Sequence, residues 1–271
     1  NSKAKIMFIK NNTTDIVKPS IKDDKAIENI KKAAKIAHEA IDLAFKHSLS
    51  GTRASKIDKD VEKFIKSKGA YPANLEVPEY GYSTSISIGN EIAHGRPTNK
   101  KILVQGDIIC IDIGVKYNDY YADCARTMVV KGNQLNSSNK KAYKLIKACK
   151  ESLEYAIYKL RPNILLSTYG REVEKKVNEY GYSIIKSLTG HGVGYEYHEA
   201  PYIFNFYHPN NDVKLEENMV LALELMIAEG SDKYVIENDG WTISTADYSF
   251  AAHFEHTVLI KKHGVDILGI D

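Results

Sequence analysis

Apolar residues recur every three or four positions at Ile27, Ile30, Ala34, Ala37, Ile41 and Ala44. This spacing predicts one amphipathic helix over residues 24–47. A second helix is predicted over 56–68, with Ile57, Val61, Phe64 and Ile65 inward and Gly69 as its stop. Residues 71–82 are rich in Tyr, Pro and Gly and read as a loop leading into the strand STSISI. The pattern then restarts. A long helix over 138–160 uses Ala142, Leu145, Cys149, Leu153, Ala156 and Leu160, and a shorter one after Ser167 uses Val173 and Val177 before Gly181. Strand-like runs follow at 183–185, 219–227, 241–244 and 254–260. Gly69 and Gly181 lie 112 positions apart, as do Asp112 and Glu224. The expectation is therefore two consecutive helix-helix-strand halves, about 24–132 and 137–268, in one body with a cleft at their junction.

Between the halves runs IICIDIGVKYNDYYADCARTMVV, residues 108–130, in which two strand-like runs flank a polar middle and each carries one aspartate. This reads as a β-hairpin. With the turn centred between Tyr117 and Asn118, Asp112 falls directly opposite Asp123, where facing Cβ atoms lie about 4.5–5.5 Å apart and like charges repel. Two carboxylates so placed in an apolar frame need a proton or a cation; the alternative is a wet strand edge or a turn cap.

Composition narrows the function classes. The chain has 271 residues, 43% hydrophobic and 27% charged, with no apolar stretch of membrane-spanning length. Its start, NSKAKIMFIKNN, has no signal-peptide apolar region, so a cytoplasmic protein is expected. Met7 is one candidate native start; residues 1–23 are drawn as an N-terminal tail or extension and 24–271 as a single catalytic domain. Cys110, Cys124 and Cys149 form no CxxC pair, which argues against a disulfide framework and a structural zinc site and leaves them as small buried hydrophobes. Residues 1–70 carry 16 basic and 9 acidic side chains, a net of +7, against 21 and 26, or −5, in the rest. A solvated lysine-rich helix face accounts for this, and no aromatic interleaving marks a nucleic-acid surface.

Further candidate ligands lie in the second half. Glu224 sits within MVLALELMI and Glu255 within FEHTVLI, acids in strands that are rarely buried unless paired or metal-bound. His191 lies between glycines in TGHGVG, a setting that is more often that of a turn residue. Together with Asp112 and Asp123 these make four carboxylates and one imidazole, a hard set larger than one zinc ion takes. Two divalent cations about 3.5–4 Å apart would use all five.

The motifs SISIGNEIAHGRP, GDIICIDIGVKYNDYYADCARTMVV, TGHGVGYEYHEAP, LALELM, DGWT and AAHFEHTVLI, in this order and spacing, resemble those of type I methionine aminopeptidases over nearly the whole chain. The resemblance implies an α+β pita-bread fold with a central antiparallel curved sheet. It implies a dinuclear centre of Co, Mn, Fe or Zn held by Asp112, Asp123, His191, Glu224 and Glu255, with Asp123 and Glu255 bridging. It implies substrate contacts from His94 and His198, and a methionine pocket of Tyr80, Tyr197 and Trp241 with Ser85 at its wall. The substrates would be nascent polypeptides beginning Met followed by a small residue. A metal-bridging hydroxide would attack the first peptide carbonyl; His198 would bind the developing oxyanion, Glu224 would carry the proton to the leaving amine and His94 would steady that amide. His253 and His256, on opposite faces of one strand, are left as structural. A monomer with transient ribosome contact is expected.

The chain departs from the family's usual pattern at Leu225, where a proline commonly follows the glutamate, at Tyr80-Gly81 in place of an aromatic-proline pair, and at Ser85 in place of cysteine. Three alternatives remain: a proline-specific dipeptidase, for which residues 1–23 are too few to form the usual extra domain; a non-catalytic binding module; and a nucleic-acid binder resting on the basic front segment alone.

Overall fold

Asp23 opens α1 (Asp24–His47) by accepting a hydrogen bond from the Ala26 amide at 2.7 Å, and all six residues of its expected apolar face are buried. The computed structural model describes residues 19–131, 137–209 and 213–270. The expected tail thus lies outside the described residues except for 19–23, and Met7 with it. Helix α2 (Ala54–Ser67) starts two residues before the expected position and is followed by Gly69 at φ 72°. The pair is repeated by α3 (Ser137–Ile157) and α4 (Ser167–Tyr180), the latter ended by Gly181 at φ 75°.

Strand β1 (Tyr71–Pro72) and a turn of 3-10 helix occupy the expected loop. They lead to β2 (Ser85–Ile88), β3 (Glu91–Ala93) and the hairpin β4 (Ile108–Tyr117) and β5 (Tyr120–Val129). The second half contributes β6 (Ser183–Ile184), β7 (Gly190–Gly192), β8 (Glu199–Ile203) and β9 (Val220–Ala228). It continues with β10 (Tyr234–Ile236), β11 (Ile243–Thr245), β12 (Ala251–Lys261) and β13 (Gly264–Ile267). The main sheet is antiparallel in the order β1-β4-β5-β12-β9-β7-β8, with β2 on β4, β6 on β9 and β13 on β12; β10, β11 and β3 form a smaller sheet.

Strand alternation divides this sheet into two chemistries. Ile109, Ile111, Ile113 and Val115 of β4 join α1 and α2 in one core, and Leu221, Leu223, Leu225 and Ile227 of β9 join α3 and α4 in another. The intervening residues, Asp112 and Glu224 among them, are left to the opposite face. Cys110, Cys124 and Cys149 are buried and free, as expected.

The hairpin register corrects one expectation. Tyr117 faces Tyr120 around a two-residue turn in which Asn118 and Asp119 take φ 48° and 64°, so Asp112 faces Ala125 and Asp123 faces Gly114. The turn lies one position later than expected and shifts the pairing by two. A shift of two keeps side chains on their side of the sheet, so the aspartates remain on one face as diagonal neighbours, with Cβ atoms somewhat less than about 7–8 Å apart.

The halves meet where β5 pairs β12, through Ala125 and Glu255. On either side of that pair a threonine replaces the backbone ladder. The Thr257 hydroxyl accepts from the Asp123 amide and donates to the Asp123 carbonyl, at 2.9 and 2.8 Å. The Thr127 hydroxyl does the same to His253, at 2.9 and 2.7 Å. The seam is therefore two-fold in its bonding, and the buried acids Asp123 and Glu255 stand on it.

Candidate metal centre

Strand registers set the ligand candidates in two adjacent rows on the face away from the helices. One row reads Ser85, Asp112, Ala125, Glu255, Glu224, each facing the next across β2, β4, β5, β12 and β9. One pleat along, Gly114 faces Asp123, and Thr257 and His191 both face Ala222. Ala125 and Ala222 leave the space that larger side chains would take, and the space at Gly114 is taken by the Tyr197 ring. Oxygen and nitrogen atoms of Asp112, Asp123 and Glu255 approach within 4.8 Å of one another, as do those of His191, Glu224 and Glu255, and those of Asp123, His191 and His198.

His191 is fixed by its own backbone. Its Nδ1 lies 2.9 Å from the Gly192 carbonyl, which only accepts, so Nδ1 carries the proton and Nε2 presents a bare lone pair. That Nε2 lies 3.9 Å from Asp123 Oδ2, 4.0 Å from Glu224 Oε1 and 3.8 Å from Glu255 Oε1. Asp112 Oδ1, Asp123 Oδ1 and Glu255 Oε1 are buried without a hydrogen-bond partner. Burial, then the Asp112 and Glu224 charges, pushes the Asp123 carboxyl well up; burial, then Asp123, does the same to Glu255. Burial raises Asp112 to about 6, with His253 opposing and Glu224 adding. Carboxylates this crowded and dry retain protons, and a hard divalent cation is the natural replacement. The donor set therefore fits divalent metal, four carboxylates with a correctly tautomerised imidazole and no sulfur.

The remaining predicted residues border this array. His94, at φ 55°, has its buried Nδ1 unpartnered, and burial lowers its pKa while the Glu224 charge opposes. The His198 ring centroid lies 4.5 Å from that of His191 and 4.3 Å from that of Tyr197. Tyr80 meets Trp241 edge-on at 5.1 Å and donates to the Thr84 carbonyl at 3.0 Å, beside buried Ser85, which faces Asp112. Asp239 holds the Trp241 turn by accepting from the Trp241 and Thr242 amides. Tyr197 stacks on Tyr121 with its ring against Gly114, where a β-carbon would stand, and its hydroxyl reaches Asp123 at the edge of the array. Strand β9 runs through Leu225 without a register shift, and Glu224 presents Oε1 to His191.

His253 is the residue that sequence reasoning passed over. Its Nε2 is 3.5 Å from Glu224 Oε2, so Glu224 has an imidazole on each side. Strand alternation already put it on the face of Glu255; what was missing was the register that brings β9 alongside.

The model of Metallopeptidase family M24 matches residues 28–262. The chain is 36% identical to the methionine aminopeptidase of Mycoplasma capricolum over 249 residues, covering 92% of this chain and 97% of that one. It is 37% identical to methionine aminopeptidase 1 of Bacillus subtilis over 223 residues, 82% of this chain and 88% of the other. Among solved structures, methionine aminopeptidase from Thermotoga maritima superposes with a TM-score of 0.88 at 35% identity, covering 93% of this chain and all of that one. Prolidase from Pyrococcus furiosus superposes at 0.74 with 28% identity, over 93% of this chain and 65% of the prolidase.

Proposed function

The chain belongs to metallopeptidase family M24, and on that premise we propose that it removes N-terminal methionine from peptides and nascent polypeptides whose second residue is small. The observation that carries this reading is the two-row array itself, with Asp112 and Asp123 from one half, His191, Glu224 and Glu255 from the other, and an aromatic pocket beginning at Ser85 beside Asp112. These five residues would hold divalent cations, with Asp123 and Glu255 contributing from the seam. Such cations supply a nucleophile at neutral pH by lowering the pKa of coordinated water towards ~7. Glu224 would take a proton from the attacking water and deliver it to the departing amine. His198 donates to the oxygen on which charge develops, a role whose loss costs ~2.7–4 kcal/mol in comparable sites. His94 steadies the scissile amide. Tyr80 and Trp241 pack against the thioether, with Ser85 leaving room at the wall.

Support also comes from coverage. The methionine aminopeptidases are matched over nearly their full lengths, the prolidase over 65% of its own. No helix among the described residues is long and apolar enough to cross a membrane. We place the activity in the cytoplasm, carried out by a monomer on chains emerging from the ribosome.

The test is release of free methionine from Met-Ala-Ser by chelated protein, by protein reloaded with Mn, Co or Fe, and by Asp112→Ala treated alike. Release that depends on metal and is lost in the variant is expected. A folded wild type that retains metal and releases nothing would turn the reading to a binding module.

A further inference from the structure

Lys22 lies just before α1, yet its side chain is fully buried. Its backbone amide donates to the Asn218 carbonyl at 2.9 Å, and Ile21 bridges Met219, which straps this segment onto the start of β9. The ammonium then reaches Glu199 Oε2 at 2.6 Å, sits over the Tyr195 ring at 4.5 Å and donates to the Ser20 hydroxyl. Ser20 in turn donates to the same carboxylate oxygen at 2.5 Å. The other oxygen, Glu199 Oε1, accepts from the Tyr195 and Glu196 amides at 2.5 and 3.0 Å. One carboxylate therefore ties the loop 194–198 back on itself, and one lysine holds that carboxylate. Gly194 completes the fit: it sits at φ 139°, and a β-carbon there would enter the space of the Lys22 chain.

This loop carries Tyr197 and His198, and Tyr195, Glu196 and His198 are exposed. Tyr195 and Tyr197 pack on Tyr120 and Tyr121, and the Gly194 carbonyl accepts from the Tyr121 amide at 2.8 Å, which anchors one side of the loop to the hairpin; the side that leads into His198 is closed by the Glu199 carboxylate. We propose that Lys22 is a positioning residue for His198: through Glu199 it sets the 194–198 loop so that the imidazole stands beside His191 and Asp123. The assignment rests on the function proposed above. It makes the segment ahead of α1 part of the reaction machinery, although it contributes no atom to the metal array. A buried ammonium without its carboxylate is strongly disfavoured, and so is the reverse, which makes the contact a single unit.

The experiment compares Lys22→Met, Glu199→Gln and the double variant, each reloaded with Mn and checked for equal metal content. In Lys22→Met, kcat for Met-Ala-Ser falls about 10- to 100-fold with KM within about threefold, the expected cost of a catalytic group displaced by about 1 Å. The double variant loses no more than the worse single one, because both remove the same contact. Hydrogen exchange at the Tyr195 and Glu196 amides accelerates in the metal-free variants, a readout that needs no activity. Wild-type kcat with unchanged exchange in Lys22→Met overturns the proposal, as do additive losses in the double variant. If Lys22→Met does not fold, Glu199→Gln decides by the same two measurements. A wild type that releases no methionine with any metal overturns the proposed function, and amide exchange still decides the role of Lys22.

Discussion

Gly114 shows how much a single absent β-carbon organises. It faces Asp123 across the hairpin, and the Tyr197 ring fills the place where its side chain would be. Gly114→Ala forces that ring, and His198 behind it, out of place. Overpacking of this kind costs ~1–3 kcal/mol; urea unfolding is expected to show a loss of that size, and the double variant with Tyr197→Ala to lose less than the sum of the two single losses, because the truncation makes room for the methyl. Individual residues were legible in the sequence where their chemistry clashed with their setting. Glu224 and Glu255 stood out as acids within apolar strands, and His191 through its glycines. Tyr197 carried no such contrast, since an aromatic beside a histidine reads equally well as pocket wall or packing. Lys22 looked like one more lysine in a basic segment, because only tertiary contact distinguishes a buried cation from a solvated one.

At the scale of elements, α1 rests on the sheet through a lane of alanines, and a pair of histidines interrupts it. The His38 ring stacks on His256 of β12 at 5.9 Å, and both are buried. Burial, then the Arg126 charge, lowers His38 to about 4; burial, then His38, lowers His256 to about 3. Each folded value lies below the unfolded value of about 6.5, so the neutral rings stabilise the fold fully above pH 6.5, and that stability is lost as pH falls from 6.5 towards 4. Protonation of the acids Asp112, Asp123 and Glu255 works in the opposite direction, so the difference between two proteins is the measure: from about pH 7 to about pH 4.5 the urea midpoint of His38→Leu, which removes one titration, should drop less than that of the wild type. The helices themselves were legible to within a few residues because one apolar face faces one sheet, although α3 ends at Ile157 and leaves Leu160 beyond it. Short strands β7 and β8 were not, being defined by pairing partners rather than by pattern. The hairpin was legible in kind and in the side its aspartates occupy, and its turn was misplaced by one position because positive φ at Asn118 and Asp119 leaves only a weak trace in sequence.

Across the whole molecule the order α-α-β-β occurs twice, and the 112-residue offset seen in sequence holds for β4 and β9 but not for the strands after them. A two-residue turn joins β4 to β5, whereas β10 and β11 intervene between β9 and β12. That excursion hid the match between Thr127 and Thr257, which bond the seam from opposite sides. Because the ligand candidates come from both halves, bound metal should act as a tie across the seam, and 24–270 should unfold as one unit. A site at 100 times its Kd contributes about 2.7 kcal/mol, so at roughly 2–4 °C per kcal/mol chelation should lower the melting midpoint by roughly 5–10 °C. Asp112→Ala should shrink this shift, since it removes a ligand from one half while leaving the seam's hydrogen bonds in place. Calorimetry of metal-loaded and chelated protein checks both expectations. A chelated sample in which one transition moves and a second stays would mean that the halves fold independently and that the metal reports on only one of them.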